Sequence, residues 1–225
     1  MTLALWQRLK QLVHNLGWRV SALYAVHGLL QRAPVRSGLV CYRFLVQPVL
    51  LHARLGPSRG QHYALRLLSH VEPVLAALDR PPAVIAQRFA DGAQCLLATR
   101  GQNLAGCIWF VRGTHHEDEV RVDYVLKPDC VWDFDVYVAP PERMTCLFAR
   151  QWDELHTLLR QSGIACSLSR VNLLNRQSLA AHRRMGAIDN GWAIFLCIGS
   201  RQLMLSSLRP FVGVGGRPRL HMGAN

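Results

Sequence analysis

Residues 131–171 read VWDFDVYVAPPERMTCLFARQWDELHTLLRQSGIACSLSRV, and the order of elements within them decides the fold. VWDFDVYV is rich in branched and aromatic side chains and alternates in polarity, which predicts a strand. Period two would set Trp132, Phe134, Val136 and Val138 on one face and Asp133, Asp135 and Tyr137 on the other. Pro140 and Pro141 end the strand and open a helix, since proline suits a first helical turn. That helix runs to Gly163, and IACSLSRV follows as another strand.

Working outward, NRQSLAAHRRMG at 175–186 predicts a helix with a glycine stop, and GWAIFLCIG at 191–199 a last strand. Upstream, GLVCYRFLVQPV from residue 38 predicts a strand. Residues 60–79 predict a helix kinked at Pro73, and 83–91 a second short helix. QCLLATRGQNLAGCIWFVRG predicts a hairpin turning at Gly101, Gln102 and Asn103. THHEDE predicts a polar turn, with Glu117, Asp118 and Glu119 in solvent, before the strand VRVDYVL. Mixed order with a central meander predicts an α/β fold of α+β type, a sheet sandwiched by helices. RPFVGVGGRPRL and its surroundings, 200–225, predict a loosely ordered tail. Three regions follow: an N-terminal extension at 1–37, a domain at 38–199 and the tail.

The extension contains TLALWQRLKQLVHNL at 2–16, with Leu5, Leu9, Leu12, Val13 and Leu16 at helical spacing and basic residues elsewhere. Such a helix packs on its own domain, on a second subunit as in a homodimer, or peripherally on a membrane. No apolar run reaches the roughly 20 residues of a bilayer span, and no compact apolar segment with a cleavage site marks a secretory signal. Seven cysteines without a C-x-x-C pair fit a reducing compartment rather than a disulfide framework or a zinc site. The expected location is therefore cytoplasmic, with peripheral contact at the inner membrane surface open. Half the residues are hydrophobic and 18% are charged, which excludes disorder as the main state. The formal charge of +12 attracts nucleic acid, anionic membrane, a phosphorylated cofactor or an acidic protein alike. No nucleic-acid-binding signature accompanies it, so nucleic acid is the least supported partner.

From residue 38 to 199 the chain resembles the GNAT superfamily of N-acyltransferases. Three features carry the resemblance: a strand running into Val138, Pro140 and Arg143 at a helix start; Asn175, Ser178, His182 and Gly186 after a strand; and an apolar strand soon after that glycine. The resemblance implies a central, mostly antiparallel mixed sheet flanked by helices. It also implies acyl transfer from a thioester donor, acetyl-CoA or a longer acyl-CoA, to an amine or other polar acceptor on a small or sugar-linked molecule, with no metal. Direct attack is expected, with positioning and electrostatic support supplying the catalysis.

The family's phosphate loop falls on Arg143, Met144, Thr145, Cys146, Leu147 and Phe148, at a helix N-terminus suited to anions. Cys146 and Phe148 stand where the family carries glycines. A shifted coenzyme A pose, a donor presented by acyl carrier protein, and a lost donor site all follow from that departure. The surplus of arginine suits an acidic carrier protein. The resemblance places Asn175 and Ser178 beside the donor, and the main chain of Val136, Tyr137 and Val138 along the acyl-pantetheine arm. His182 stands where the family commonly has a tyrosine acid, and a solvated helix histidine is the other reading. Asp135 is the first candidate for base or amine anchor and Asp133 the second; ion pairs with Arg121 or another arginine are the structural alternative. A non-catalytic module that has lost the coenzyme A loop competes with the enzyme reading.

Overall fold

The computed structural model describes residues 37–117 and 119–223, so the amphipathic segment 2–16 and Asp118 lie outside it. In chain order the elements are β1 (Ser37–Pro48), β2 (Ala64–Leu68), α1 (Pro82–Ala90), β3 (Gln94–Arg100), β4 (Asn103–Arg112), β5 (Thr114–Glu117), β6 (Val122–Leu126), β7 (Cys130–Val138), α2 (Leu147–Gln161), β8 (Cys166–Asn172), α3 (Arg176–Arg184), β9 (Ile188–Ile198), β10 (Arg201–Ser206), β11 (Val212–Val214) and β12 (Arg219–Met222). Nine strands form one sheet in the order β11-β10-β9-β1-β8-β7-β4-β3-β2, and β12-β6-β5 form a second. Within the large sheet only β7 and β8 run parallel, so the sheet is mixed and mostly antiparallel.

The large sheet is covered on both faces, and its central strands read accordingly. β4 is buried from Ala105 to Val111, as expected of a near-continuous apolar run with cover on each side. On one face Tyr42, Phe44, Trp109, Trp132 and Phe195 pack with α1 and the small sheet. On the other, Leu96, Ile108, Phe110 and Val131 lie under Trp152, Leu155 and Leu159 of α2. Thr145 starts α2 by accepting a hydrogen bond from Leu147 N at 3.1 Å, and Asn175 Oδ1 caps α3 through Ser178 N at 3.0 Å. The first strand, β1, is central rather than peripheral: it pairs with β8 on one side and β9 on the other.

Three expectations change. Residues 60–79 contain β2 and a 3-10 turn at Pro73–Ala77, not a kinked helix. Proline at the turn's start removes a helical donor, and Leu68 and Leu75 reach the core without a helical stripe. THHE is a strand, because His115 and Glu117 are held against the large sheet while its turn falls later. Residues 201–222 are not a loosely ordered tail but three strands. Met204, Leu220 and Met222 are fully or almost fully buried; glycines and prolines between short strands hid their period-two pattern.

Leu220→Ala should therefore lower unfolding free energy by about 2–5 kcal/mol, whereas Val214→Ala, at an exposed site, should change it by under about 0.5 kcal/mol. Urea denaturation of both variants decides it, and equal effects would remove the C-terminal strands from the core.

Candidate functional site

The site begins where two strands part. β7 and β8 pair in parallel only from Cys130–Trp132 to Cys166–Leu168. Beyond Trp132 the edge of β7 facing β8 has no strand partner among the described residues. At the same level β7 gains an extra residue against β4: Trp109 opposes Phe134, yet Cys107 opposes Tyr137. That β-bulge centres on Asp135, which has φ +50° and is the one non-glycine with positive φ among the described residues. A non-glycine in this region is uncommon and stores strain.

The bulge changes which face each side chain takes. Trp132 and Phe134 pack in the core on the α1 side, as period two requires. Asp135 then joins Phe134 on that side instead of joining Asp133, and Val136 faces α2. The strict alternation expected for this strand fails there because one inserted residue reverses the period. Asp133 and Asp135 consequently sit on opposite faces.

On the α1 side lies a cavity of about 620 Å³. Arg80 approaches Asp135 with two nitrogens at 3.1 Å each, and Arg88 Nη1 lies 2.8 Å from Asp135 Oδ2. Burial raises the Asp135 carboxyl, but these two guanidinium groups outweigh it and hold the carboxyl below the usual carboxylate range. Arg88 is itself fixed, its guanidinium lying 5.0 Å from the Trp109 ring centroid and 5.3 Å from that of Phe134. Across the cavity Arg170 of β8 forks onto Glu117, with Nη2 at 2.9 Å from Oε1, and reaches Glu119 at 3.3 Å. Glu117 is thus buried and paired rather than solvated, with its carboxyl held low by Arg170 against the effect of burial. His115 lines the cavity between Trp132 and Phe134.

The α2 side is different. Asp133 is buried, and Ser167 Oγ donates to its Oδ1 at 2.5 Å. Burial pushes its carboxyl up to about 7, against the opposing hydrogen bonds of Ser167 and Ser169. His182 is buried too, meeting the rings of Phe148 and Trp152 edge-on at 6.0 and 5.8 Å. It is not a solvated helix residue, and burial pushes its pKa down to about 4, so the ring is neutral at pH 7. Asn175 and Ser178 stand one to two turns away, engaged in the α3 cap.

At the start of α2 the loop is built from side chains rather than glycine backbone. Tyr63 donates to Glu142 and bonds Thr145 Oγ1 at 3.0 Å, and Arg100 lies 3.2 Å from Glu142. Those contacts draw the Glu142 carboxyl below its usual range. Leu147 is fully buried, and Phe148 packs beside Trp152. Gly60, at φ +76°, lies so close that a Cβ there would come within 3.3 Å of Cys146 Sγ and Arg150 Cγ. Arg143 and Met144 are exposed, with Arg143 Nε 3.4 Å from Val138 O.

Sequence reading missed Arg80, Arg88, Arg170 and Glu117. Arginine is common throughout this chain, and only the tertiary fold selects those four residues. The structural alternative, pairing of Asp135 with an arginine, is present through Arg80 and Arg88, while Arg121 instead meets Gln202 through its backbone. Among the described residues no group of three His, Cys, Asp or Glu side chains is placed to hold a metal, and no helix is long and apolar enough to cross a membrane.

The fold is that of the GNAT superfamily. A putative acetyltransferase of the GNAT family from Novosphingobium aromaticivorans is similar at a TM-score of 0.50 with 14% identity, over 73% of this chain and 67% of that one. A tandem GNAT protein from the clavulanic acid biosynthesis pathway is similar at a TM-score of 0.50 with 13% identity, over 79% and 57%. A functionally unknown conserved protein from Staphylococcus epidermidis is similar at 0.50 with 10% identity, over 71% and 62%. The chain thus spans about 57–62% of the length of the last two structures. No family model and no curated protein sequence matches the chain.

His182 carries a pH signature. Its folded pKa lies below the unfolded value of 6.5, so the unfolded state binds the proton more readily. Its contribution is present above pH 6.5 and lost as pH falls toward 4, on the order of 1–3 kcal/mol in all. Urea unfolding between pH 4.5 and 6.5 should rise with pH less steeply in His182→Phe than in the wild type. Identical slopes would show a ring that titrates as in water.

Proposed function

We propose that the chain is an acyltransferase that moves an acyl group from a pantetheine thioester, on coenzyme A or an acyl carrier protein, to an amine held in the cavity at Asp135. The observation that carries this reading is the parting of β7 and β8. It leaves one strand edge unpaired beside a cavity whose floor is a strained, charged carboxylate. An extended amide-bearing arm can add to such an edge as a strand would, through Val136, Tyr137 and Val138.

In this reading the acceptor nitrogen attacks the thioester carbonyl; the new C–N bond forms as the C–S bond breaks. The anchored ammonium first gives one proton to solvent, which frees its lone pair. A second proton leaves the nitrogen on attack for Asp135, directly or through water, and the departing thiolate takes one proton from solvent to become a thiol. Asp135 is a weak base while both arginines hold it, so its first task is to anchor the ammonium. Asp133, the second candidate by sequence, is buried on the opposite face of β7 with Ser167 and does not meet an amine in this cavity. His182 lies on the other face of the fork, as a leaving-group partner requires, but as a neutral ring it supplies a hydrogen bond rather than a stored proton.

The phosphate end of the donor fits less well than its arm. Leu147 N is already bonded to Thr145, and the Glu142 carboxylate stands at the same helix start. Arg143 and Arg100, the latter paired with Glu142, are exposed cations there. With the backbone N–H of Leu147 already used, this arrangement offers less to a pyrophosphate, which takes several such donors, than to the single phosphate of a carrier-bound pantetheine. It also favours the second reading, a GNAT-fold binding module without catalysis, in which Phe148 keeps the cleft filled.

Thermal unfolding with acetyl-CoA, a medium-chain acyl-CoA and an acyl carrier protein separates these readings. A rise in midpoint with one of these donors, larger in Phe148→Ala, supports transfer; no rise with any of them in either protein removes it. With a productive donor, Asp135→Asn should reduce turnover about 10²–10⁴-fold if the carboxylate takes the proton. An unchanged rate would assign that role elsewhere.

A further inference from the structure

The cavity on the α1 side concentrates charge of both signs. Three arginines and four carboxylates line its walls. Partly exposed ion pairs contribute little to stability, so their gathering in one concavity points to recognition rather than to folding. The nature of the ligand follows from what would be left unpaired. An apolar molecule filling the cavity would strip water from charged groups and return nothing. A simple amine would compete with Arg80 and Arg88 for Asp135, and a simple anion would compete with Asp135 for Arg80. Each would satisfy one partner and orphan the other.

The two arginines on Asp135 are unequal. The Arg88 side chain is 16% exposed and braced against Trp109 and Phe134. The Arg80 side chain is 46% exposed, and its other hydrogen bond is to the adjacent Asp79 carbonyl. Arg80 can therefore move while Arg88 keeps Asp135 in place. A molecule bearing an ammonium and an anion a few bonds apart can enter between Arg80 and Asp135. One ion pair is then exchanged for two, and no charge is left without a partner.

We propose that the cavity binds a small dipolar molecule carrying a primary amine together with a carboxylate or phosphate, its ammonium on Asp135 and its anion on Arg80. This deepens the reading of the cavity as the acceptor site and rests on that reading. Inserting the anion draws Arg80 away from Asp135, and the ligand's ammonium takes its place beside Arg88.

The test is isothermal titration of the full chain, with no acyl donor present, using phosphoethanolamine, ethanolamine and inorganic phosphate as probes. Phosphoethanolamine, or β-alanine as its carboxylate counterpart, should bind at least tenfold more tightly than ethanolamine or phosphate. Arg80→Gln, at a half-exposed position, should abolish that preference without moving the thermal midpoint. Ethanolamine binding as tightly as the dipolar probes, an unchanged preference in Arg80→Gln, or no binding by any probe would each overturn the proposal. Because no donor is present, the two readings fail separately: transfer to neutral amines without dipolar binding overturns this inference alone, and dipolar binding without turnover overturns the enzyme reading alone.

Discussion

The structure is organised by the short parallel contact between β7 and β8 and the inserted residue that follows it. Three residue pairs hold the two halves of the large sheet together. After them β7 follows β4 and β8 follows β1, so the strand edges face a gap instead of each other. A gap in the middle of a sheet must be filled or lined, because backbone groups without partners are costly in an apolar interior. Here the side chains of α2 and α3 close one side, with Phe148, Trp152 and His182 in mutual contact. The other side stays open as the cavity, and the bulge delivers Asp135 to it. Without the extra residue Asp135 would fall on the same face as Asp133, and two carboxylates would compete for one buried space.

That division explains why neighbouring acids and bases behave so differently. Asp133 and Asp135 are two residues apart, yet one is raised toward neutrality and the other lowered. Asp133 meets serine hydroxyls in a dry environment, and Asp135 meets two guanidinium groups. Local partners thus decide the sign of the shift, while burial pushes both upward. Burial alone lowers His182 among the described residues, so it loses its proton. The formal charge of +12 plays little part in any of this. Arg80, Arg88 and Arg170 are engaged in specific pairs, and what matters is their placement.

The sheet's middle was legible because its patterns are local. VWDFDVYV, Gly163 and the Asn175 cap each fix one boundary by chemistry confined to a few residues, whereas the double proline forms a separate 3-10 turn at Pro140–Glu142 and α2 begins only at Leu147. The GNAT resemblance rested on the same region, and the fold agrees with it. What escaped reading depends on distant partners. Nothing in THHEDE shows that Glu117 will meet Arg170, 53 positions later. The bulge at Asp135 was invisible because its strand reads as unbroken alternation; only pairing with β4 reveals the extra residue. The C-terminal strands were lost because glycines and prolines break them into short pieces, and the last of them, β12, is buried through pairing with β6 nearly a hundred residues upstream.

The start of α2, where the sequence departs from the GNAT pattern it otherwise resembles, also has a physical consequence. Glycines at a helix start let backbone N–H groups approach an anion, which here would need space at positions 146 and 148. Cys146 instead lies against Gly60, and Phe148 belongs to the core around Trp152. Replacing both residues with glycine would open space but also remove a large buried ring, so the loop and the core are coupled through one aromatic side chain. The Glu142 carboxylate at the same helix start is held by Tyr63 and Arg100, so its charge is compensated within the protein. Side-chain contacts therefore close the start of α2, whereas the strand fork and the charged cavity on the α1 side form independently of them.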